Sequence, residues 1–394
     1  MRFQRPAILL ISGALLCLAA AACSDDGGAE PASLAESSLR TDAEAPIVVP
    51  ADTPIIIGIA APISGPDVGL GEEQRDATLV GINRWKAAKG EQIEGHDIEI
   101  RIEDDGCTEA DITGQAAERF LRVEGLVGVL GPSCSAGAAE AIPIFAAAGI
   151  VAISPTVTRT DITLNQPEGG FFFRTAYRND LQGTLIGIFA SAQLQGPSAY
   201  IVDDAEAYGI DLADNAQRAL EANGVSATRE TVERGTVDFG PLAAEIAQSE
   251  ATFVGFAGFN PEAALLYRQL RDAGYTGLFG AGDAAASRTT FVEPVGAQEA
   301  EGVLFAACAL TLPDDFVAEF EDLHGSAPEA FAFPAQSADA ATVLLDAIAA
   351  VAEAQDDGSL SIDPIALRDA VRATTLGVGL SGPIAFDANG DRVP

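Results

Sequence analysis

The chain has 394 residues, in which 58 Asp and Glu outnumber 22 Lys and Arg for a formal net charge of −36. Phosphate binding needs basic surface, so nucleic acid is not an expected partner, and the acidity reads as a solubilising surface. Only two histidines are present, His96 and His324, which argues against a His-built metal or catalytic centre, and no cofactor is expected.

In chain order, Arg2 and Arg5 precede an apolar run from Ala7 to Ala22. That is the plan of a secretory signal peptide, and the run is short for a membrane span. It closes on Leu18-Ala-Ala-Ala-Ala-Cys23. Small residues directly before a cysteine resemble a bacterial lipobox, in which Cys23 would be lipidated and become the first mature residue. Ala20 stands where lipoboxes usually carry Leu, so plain cleavage at an Ala-x-Ala site is the alternative. Both routes export the chain. Residues 23–52 are rich in Asp, Glu, Ala, Ser and Pro, a composition that cannot bury a core, and they read as a flexible acidic tether. Roughly 340 residues remain, more than one comfortable core, so two domains are expected.

From Thr53 onward, β-branched apolar runs alternate with amphipathic stretches. Strands are predicted at 55–60, 98–103, 126–130 and 150–153, with helices over 71–89, 112–123 and 136–147 between them. This rhythm implies a parallel sheet covered on both faces. It then restarts, with strands at 199–202, 227–232, 252–256 and 277–280 and helices at 209–222, 239–248 and 262–273. The third unit of each half is alike. Val127-Gly-Val-Leu-Gly-Pro-Ser-Cys-Ser135 and Val254-Gly-Phe-Ala-Gly-Phe-Asn-Pro261 both lead from a strand through a short loop into a helix. The expected architecture is α/β, with two doubly wound parallel-sheet lobes and a ligand cleft between them, because ligands sit beyond the carboxyl ends of such strands. A strand at 302–306 precedes helices at 314–324, 336–354 and 364–374, which should return to the first lobe. Residues 384–391 should close as a strand and turn. The lobes would then comprise 53–176 with 312–378, and 177–311 with 379–394.

Enzyme signatures are sparse: there is no G-x-S-x-G elbow, Walker A loop, H-E-x-x-H or strand-following G-x-G-x-x-G. Asp387-Ala-Asn-Gly-Asp391 lacks the sixth-position Gly and the spaced Glu of a calcium loop, so it reads as a turn. The loop chemistry at strand ends is more telling. Ser133, Cys134 and Ser135 open a helix, and Ser154, Thr156 and Thr158 follow the fourth strand. Hydroxyls beside the free N–H groups of a helix start can hold a carboxylate, and Ser there can equally serve as a simple cap. Asp283 follows a strand in a Gly- and Ala-rich loop on the side of the cleft, although a loop Asp can also be merely solvated. With Cys17 lost in the leader and Cys23 lipidated, Cys107, Cys134 and Cys308 remain, an odd set with room for one disulfide.

Seven segments occur in register: Ile59-Ala-Ala-Pro-Ile-Ser-Gly-Pro66, Glu103-Asp-Asp-Gly-Cys107, Gly131-Pro-Ser-Cys-Ser135, Phe173-Arg-Thr175, Asp203-Asp-Ala-Glu-Ala-Tyr-Gly209, Gly258-Phe-Asn-Pro-Glu262 and Gly382-Pro-Ile-Ala-Phe-Asp387. Together they resemble the leucine/isoleucine/valine-binding (branched-chain amino acid-binding) family, the solute-binding proteins of ABC importers, over residues 54–394. The resemblance implies a type I periplasmic-binding fold with its ligand at the interlobe hinge. Position by position, it implies that Ser135 and Thr158 bind a ligand carboxylate and that Thr156 adds backbone contacts. Asp283 would meet the ligand ammonium, and Tyr208 and Phe259 would be aromatic walls. It also implies a Cys107–Cys134 disulfide. Leu70 and Phe259 depart from the Tyr and the hydroxyl carried by many branched-chain binders, which leaves the side-chain preference open.

The implied function is extracytoplasmic capture of an apolar or branched-chain amino acid and its delivery to an ABC permease. No bond would be made or broken, and membrane contact would run through the lipid anchor alone. Sensing modules for amides, urea or aromatic acids share such a fold and form the alternative class. A serine hydrolase built on Ser135 is the enzyme alternative, and the scarcity of His speaks against it.

Overall fold

Strand Ile55–Ala61 is buried along all seven residues, and so are Leu126–Leu130 and Phe253–Ala257 along all five. Continuous burial of this kind arises where helices cover both faces of a parallel sheet. The structure, a computed structural model, describes residues 39–166, 170–193, 198–307, 310–329, 331 and 333–393. The leader, Cys23, the first part of the expected tether and Cys308 lie outside the described residues.

The chain begins β1 (Ile47–Val49), β2 (Ile55–Ala61), α1 (Val68–Lys89), β3 (Gln92–Ile93), β4 (His96–Asp104), α2 (Ala110–Phe120), β5 (Leu126–Leu130), α3 (Ser135–Ala147), β6 (Val151–Ser154), α4 (Asp161–Leu164) and β7 (Phe172–Arg174). It continues through α5 (Asn179–Gln193), β8 (Ser198–Asp203), α6 (Ala207–Ala222), β9 (Ser226–Thr231), α7 (Gly240–Gln248), β10 (Phe253–Ala257), α8 (Glu262–Asp272), β11 (Leu278–Gly282), α9 (Glu293–Val295) and β12 (Leu304–Ala306). It closes with α10 (Asp314–His324), α11 (Pro334–Val351), β13 (Glu353–Ala354), β14 (Leu360–Ile362), α12 (Pro364–Arg372), β15 (Thr375–Gly379) and β16 (Gly382–Ala385).

Two sheets organise the lobes, ordered β3-β4-β2-β5-β6-β7 and β9-β8-β10-β11-β12. Apart from the antiparallel hairpin strand β3, every pairing in them is parallel. Setting β3 aside, each sheet places its second strand beside its first, followed by the third, fourth and fifth. In that doubly wound order the topological switch falls between the first and third strands. It lies between β2 and β5 in one lobe and between β8 and β10 in the other, so the loops after β5 and β10 emerge at equivalent places.

The helices after β12 return to the first lobe as expected. Phe316 and Phe320 of α10 pack with Ala77 and Val80 of α1 and Ala338 of α11. Gly81 permits the close crossing of α1 and α11, since a Cβ there would lie 2.6 Å from the Ala338 Cα. Helix α5 was not anticipated, and its composition explains why. Its buried face is Asn179, Gly183, Gly187 and Ala190, while Leu181, Leu185, Ile188 and Phe189 point outward. The apolar periodicity that normally reveals a core-facing helix is therefore inverted. At Gly183 a Cβ would come within 2.5 Å of the Asn215 Cβ, so small residues are what let α5 lie on α6.

Two boundaries are corrected. Residues 39–52 are not tether: Ile47 and Val49 point inward as β1 pairs with β14, and the Arg40 Nε donates to the Ala148 carbonyl at 2.6 Å. Residues 379–394 were expected with the second lobe, but the described ones, 379–393, bond chiefly to first-lobe elements. Arg174 N donates to Gly390 O at 3.0 Å, the Arg174 guanidinium pairs with Asp391 at 2.6 Å, and Ser381 N donates to Asp339 of α11 at 2.7 Å. The turn at Asp387 closes on its own backbone, with Asp387 Oδ1 accepting from Asn389 N and Asp391 N. Cys107 and Cys134 form a disulfide across 27 positions, joining the loop after β4 to the residue that precedes α3. Closing such a loop stabilises by roughly 3–4 kcal/mol in the chain-entropy view.

Candidate functional site

The loop after β5 is set by hydrogen bonds that leave Ser135 available. Asp105 accepts from Ser133 N at 2.7 Å and from Cys107 N at 3.0 Å. Ser154 is committed to the same scaffold: its hydroxyl donates to Pro132 O at 2.6 Å and accepts from Thr156 N and Val157 N. Thr156 donates to Ser133 O at 2.6 Å. Cys134 occupies the N-cap position of α3 and makes no side-chain capping bond. Ser135 lies one residue further, inside the helix, so it is not the cap. Its hydroxyl oxygen accepts from Arg159 N at 3.3 Å, which leaves its own proton to donate. The N–H groups of the first turn have no intrahelical partner and sit at the positive end of the helix dipole. This corner is suited to an anion without any basic side chain.

The other lobe offers the opposite polarity. Asp283 follows β11 and is only 3% exposed. Its Oδ1 accepts from the Tyr208 hydroxyl at 2.6 Å and from Ala284 N at 2.7 Å. Its Oδ2 is buried without a hydrogen-bond partner among the described residues. Burial pushes the Asp283 carboxyl up from its ordinary range, against the pull of Tyr208, the nearby Gln182 side chain and the Ala284 backbone. Tyr208, which starts α6, stands 5.2 Å from Phe259, centroid to centroid, in a tilted aromatic pair.

These two corners face one cavity of about 90 Å³, which is room for several waters or a small solute. Of the residues expected from sequence, Ser135, Thr156, Tyr208, Phe259 and Asp283 line it. Thr158 is not among the lining residues, yet its buried Oγ1 also lacks a partner. Leu70 lines the cavity too, together with Asp67, Asn260, Thr290, Phe331 and Phe333, to which the sequence reading gave no role. Asn260 lies in the loop that matches Ser133–Ser135 in the other lobe, and that repeat was the available signal. Phe331 and Phe333 arrive from the connection between α10 and α11, and nothing in their spacing points to a site.

The lobes are joined across the cleft. Asp67, just before α1, pairs with Arg234, whose guanidinium lies 4.2 Å over the Phe259 ring. Burial raises the Asp67 carboxyl while Arg234 opposes the shift. Asp211 of α6 accepts from Thr160 N at 2.8 Å and from its hydroxyl at 3.0 Å. Glu329 accepts from Arg288 N at 2.6 Å and Thr289 N at 3.1 Å, and its own N–H donates to Glu73 of α1 at 2.7 Å.

The family profile described as Periplasmic binding protein matches residues 54–394. The chain belongs to that family. Among curated relatives, this binding protein is 31% identical over 263 residues to an amino acid binding protein of Pseudomonas aeruginosa, covering 66% of this chain and 69% of that one. It is 28% identical over 355 residues to a leucine-, isoleucine-, valine-, threonine-, and alanine-binding protein of the same organism, with 86% and 87% covered. A leucine binding protein LivK from Thermotoga maritima superposes with a TM-score of 0.73 at 25% identity, covering 86% of this chain and 93% of that one. A Rhodopseudomonas palustris solute binding protein in complex with 4-hydroxybenzoate shares the fold at a TM-score of 0.72 and 18% identity, with 86% and 90% covered.

Burial also raises three carboxyls of the binding protein outside the ligand corner: Asp105 to about 6, and Asp204 and Glu73 to about 7 each. The folded chain then holds protons that the unfolded chain has released, so its stability falls as pH rises through the window from about 5 to about 7. The melting temperature of the empty protein should decline across that window, and Asp204→Asn should make the decline shallower. A melting temperature that climbs from pH 5 to pH 7, or a slope untouched in the variant, would contradict this assignment.

Proposed function

We propose that this protein captures a small α-amino acid outside the cytoplasm and presents it to an ABC permease, without making or breaking a bond. The observation that carries the reading is Asp283, whose Oδ2 is buried without a hydrogen-bond partner among the described residues and which lines the same cavity as the start of α3. A zwitterion entering a closed cleft loses water at both ends, and each charge then needs a partner. Ser135, Thr158 and the first-turn N–H groups of α3 serve the carboxylate, while Thr156, whose N–H and hydroxyl donate to Ser154 Oγ and Ser133 O, holds the loop beside it. Asp283 balances the ammonium, which hydroxyls and N–H groups cannot do. Tyr208 orients Asp283 through its hydroxyl and forms a wall with Phe259. The amino-acid binding named for the two Pseudomonas relatives supports this reading. An aromatic acid of the kind bound by the Rhodopseudomonas neighbour could donate its phenol hydroxyl to Asp283 Oδ2, yet it brings no positive charge to balance the buried carboxylate.

In this account the lobes are 39–176 with 312–378 on one side and 177–311 on the other, and the C-terminal residues are grouped with the first. Cys23 carries the lipid, so that the chain stays at the membrane surface next to its permease. One acyl chain gives marginal attachment and two or more give stable attachment.

A thermal-shift panel of the twenty amino acids identifies the ligand, since saturation at a hundred times Kd adds about 2.7 kcal/mol. Truncating one partner of a buried charge pair costs ~2–5 kcal/mol. Asp283→Asn, which keeps an acceptor for the Tyr208 hydroxyl and Ala284 N–H but removes the charge, should therefore weaken that ligand by roughly 30-fold to several thousand-fold in calorimetric titration, with the melting temperature of the empty protein nearly unchanged. Undiminished affinity would show that the ammonium is not held by Asp283. For the anchor, intact mass of the membrane-extracted protein should show acylation at Cys23, and Cys23→Ser should release the chain from the membrane. A mature mass free of lipid would sink the anchor.

A further inference from the structure

Asp283 Oδ2, Thr158 Oγ1 and Asn260 Oδ1 are buried without a hydrogen-bond partner among the described residues, as are Asn179 Oδ1 and Arg234 Nη1 on residues that contact Tyr208 and Phe259 of the cavity wall. A zwitterion accounts for the first two, through its ammonium and its carboxylate. Asn260 Oδ1 is left over. Asn260 lines the cavity from the loop after β10, and its Nδ2 donates to Ala284 O at 3.4 Å. That bond decides which way the amide points. Turned over, Oδ1 would face the Ala284 carbonyl oxygen, acceptor against acceptor. The free atom is therefore an acceptor, and it asks for a donor.

An aliphatic side chain brings no donor and leaves Asn260 Oδ1 buried and unsatisfied, which costs more than a hydrogen bond contributes when made. A hydroxyl on the ligand side chain supplies one. The cavity is modest, and Leu70, Phe331 and Phe333 give it apolar wall beside the polar Asp67 and Thr290, which suits a small side chain with one polar group. Resting on the reading that the ligand is an α-amino acid, we infer that Asn260 is a specificity-determining residue. It selects a small amino acid with a side-chain hydrogen-bond donor, of the threonine or serine type, over the aliphatic one of the same shape.

Two nearly isosteric pairs test this directly: L-threonine against L-valine, and L-serine against L-alanine. Calorimetric titration of the full-length mature protein should show roughly ten-fold or greater preference for the hydroxyl member of at least one pair. Asn260→Leu keeps the approximate shape and removes the acceptor, so the preference should collapse through weaker binding of the hydroxyl member. Asn260→Asp keeps an acceptor and should keep the preference, which separates recognition from misfolding. Equal binding within both pairs would overturn the inference, because the ammonium alone would then be satisfying Oδ1. So would a preference that survives in Asn260→Leu, or binding confined to other amino acids. All three outcomes leave the amino-acid reading standing. A wild-type protein that binds no amino acid at all removes that reading, and the inference with it.

Discussion

Two buried aspartates hold the loops on which the cavity depends. Asp105 accepts from Cys107 N and Ser133 N, and Asp204 accepts from Glu206 N and Phe259 N, the latter two at 3.1 Å. In each lobe a carboxylate beyond a strand end thus fastens its own turn and the loop beyond the third strand. Those loops supply Ser133 to Ser135 on one side and Phe259 with Asn260 on the other. The disulfide adds a covalent tie to the first of them, since Cys107 and Cys134 each adjoin an Asp105 contact. Burying these carboxylates is unfavourable by itself, as their raised pKa values record. Hydrogen bonds from the backbone compensate, and the loops are fixed in return. A preorganised site of this kind loses less ordering entropy when a ligand arrives.

The same loops explain why the cavity has two unlike ends. One lobe presents hydroxyls and the start of a helix, and the other presents a carboxylate whose outer oxygen is free. Neither half is complete alone, so capture requires that the lobes meet. Of the contacts that join them, Asp67 with Arg234 is an ion pair of balanced charge at the cavity wall, and Asp211 with Thr160 is a hydrogen-bonded contact away from the cavity lining. Closure that both desolvates the ligand and completes its contacts is the hinge-type transition of two-domain binding proteins. Glu329 reaches from the first-lobe side to the backbone of Arg288 and Thr289 and places the neighbouring Thr290 at the wall of the cavity.

Much of this was legible in the sequence where a physical pattern is local. The strand at 126–130 was read to the residue because it is buried on both faces and bounded by glycines. Ser, Cys and Ser between a strand and a helix marked the start of α3, though the pattern alone left open whether they cap the helix or face a ligand. Asp283 was legible from its place after a strand. Helix α5 was hidden because its packed face is made of glycine and alanine. The Asp67–Arg234 pair spans 167 positions and has no local signature. Arg40 was read as tether because composition alone does not reveal that three backbone carbonyls await its guanidinium. Asn260 lies in the segment Gly258-Phe-Asn-Pro-Glu262, yet its importance depends on a bond to Ala284 that only the fold creates.

The central claim is that Asp283 pairs with an ammonium, and editing the ligand tests it without altering the protein. The best-bound amino acid and its 2-hydroxy acid counterpart differ only in that ammonium. Calorimetric titration of the wild-type protein at neutral pH with both compounds should show the hydroxy acid weaker by roughly 30-fold or more. Equal affinity for the two would contradict the account, since the buried carboxylate would then be doing something other than meeting an ammonium.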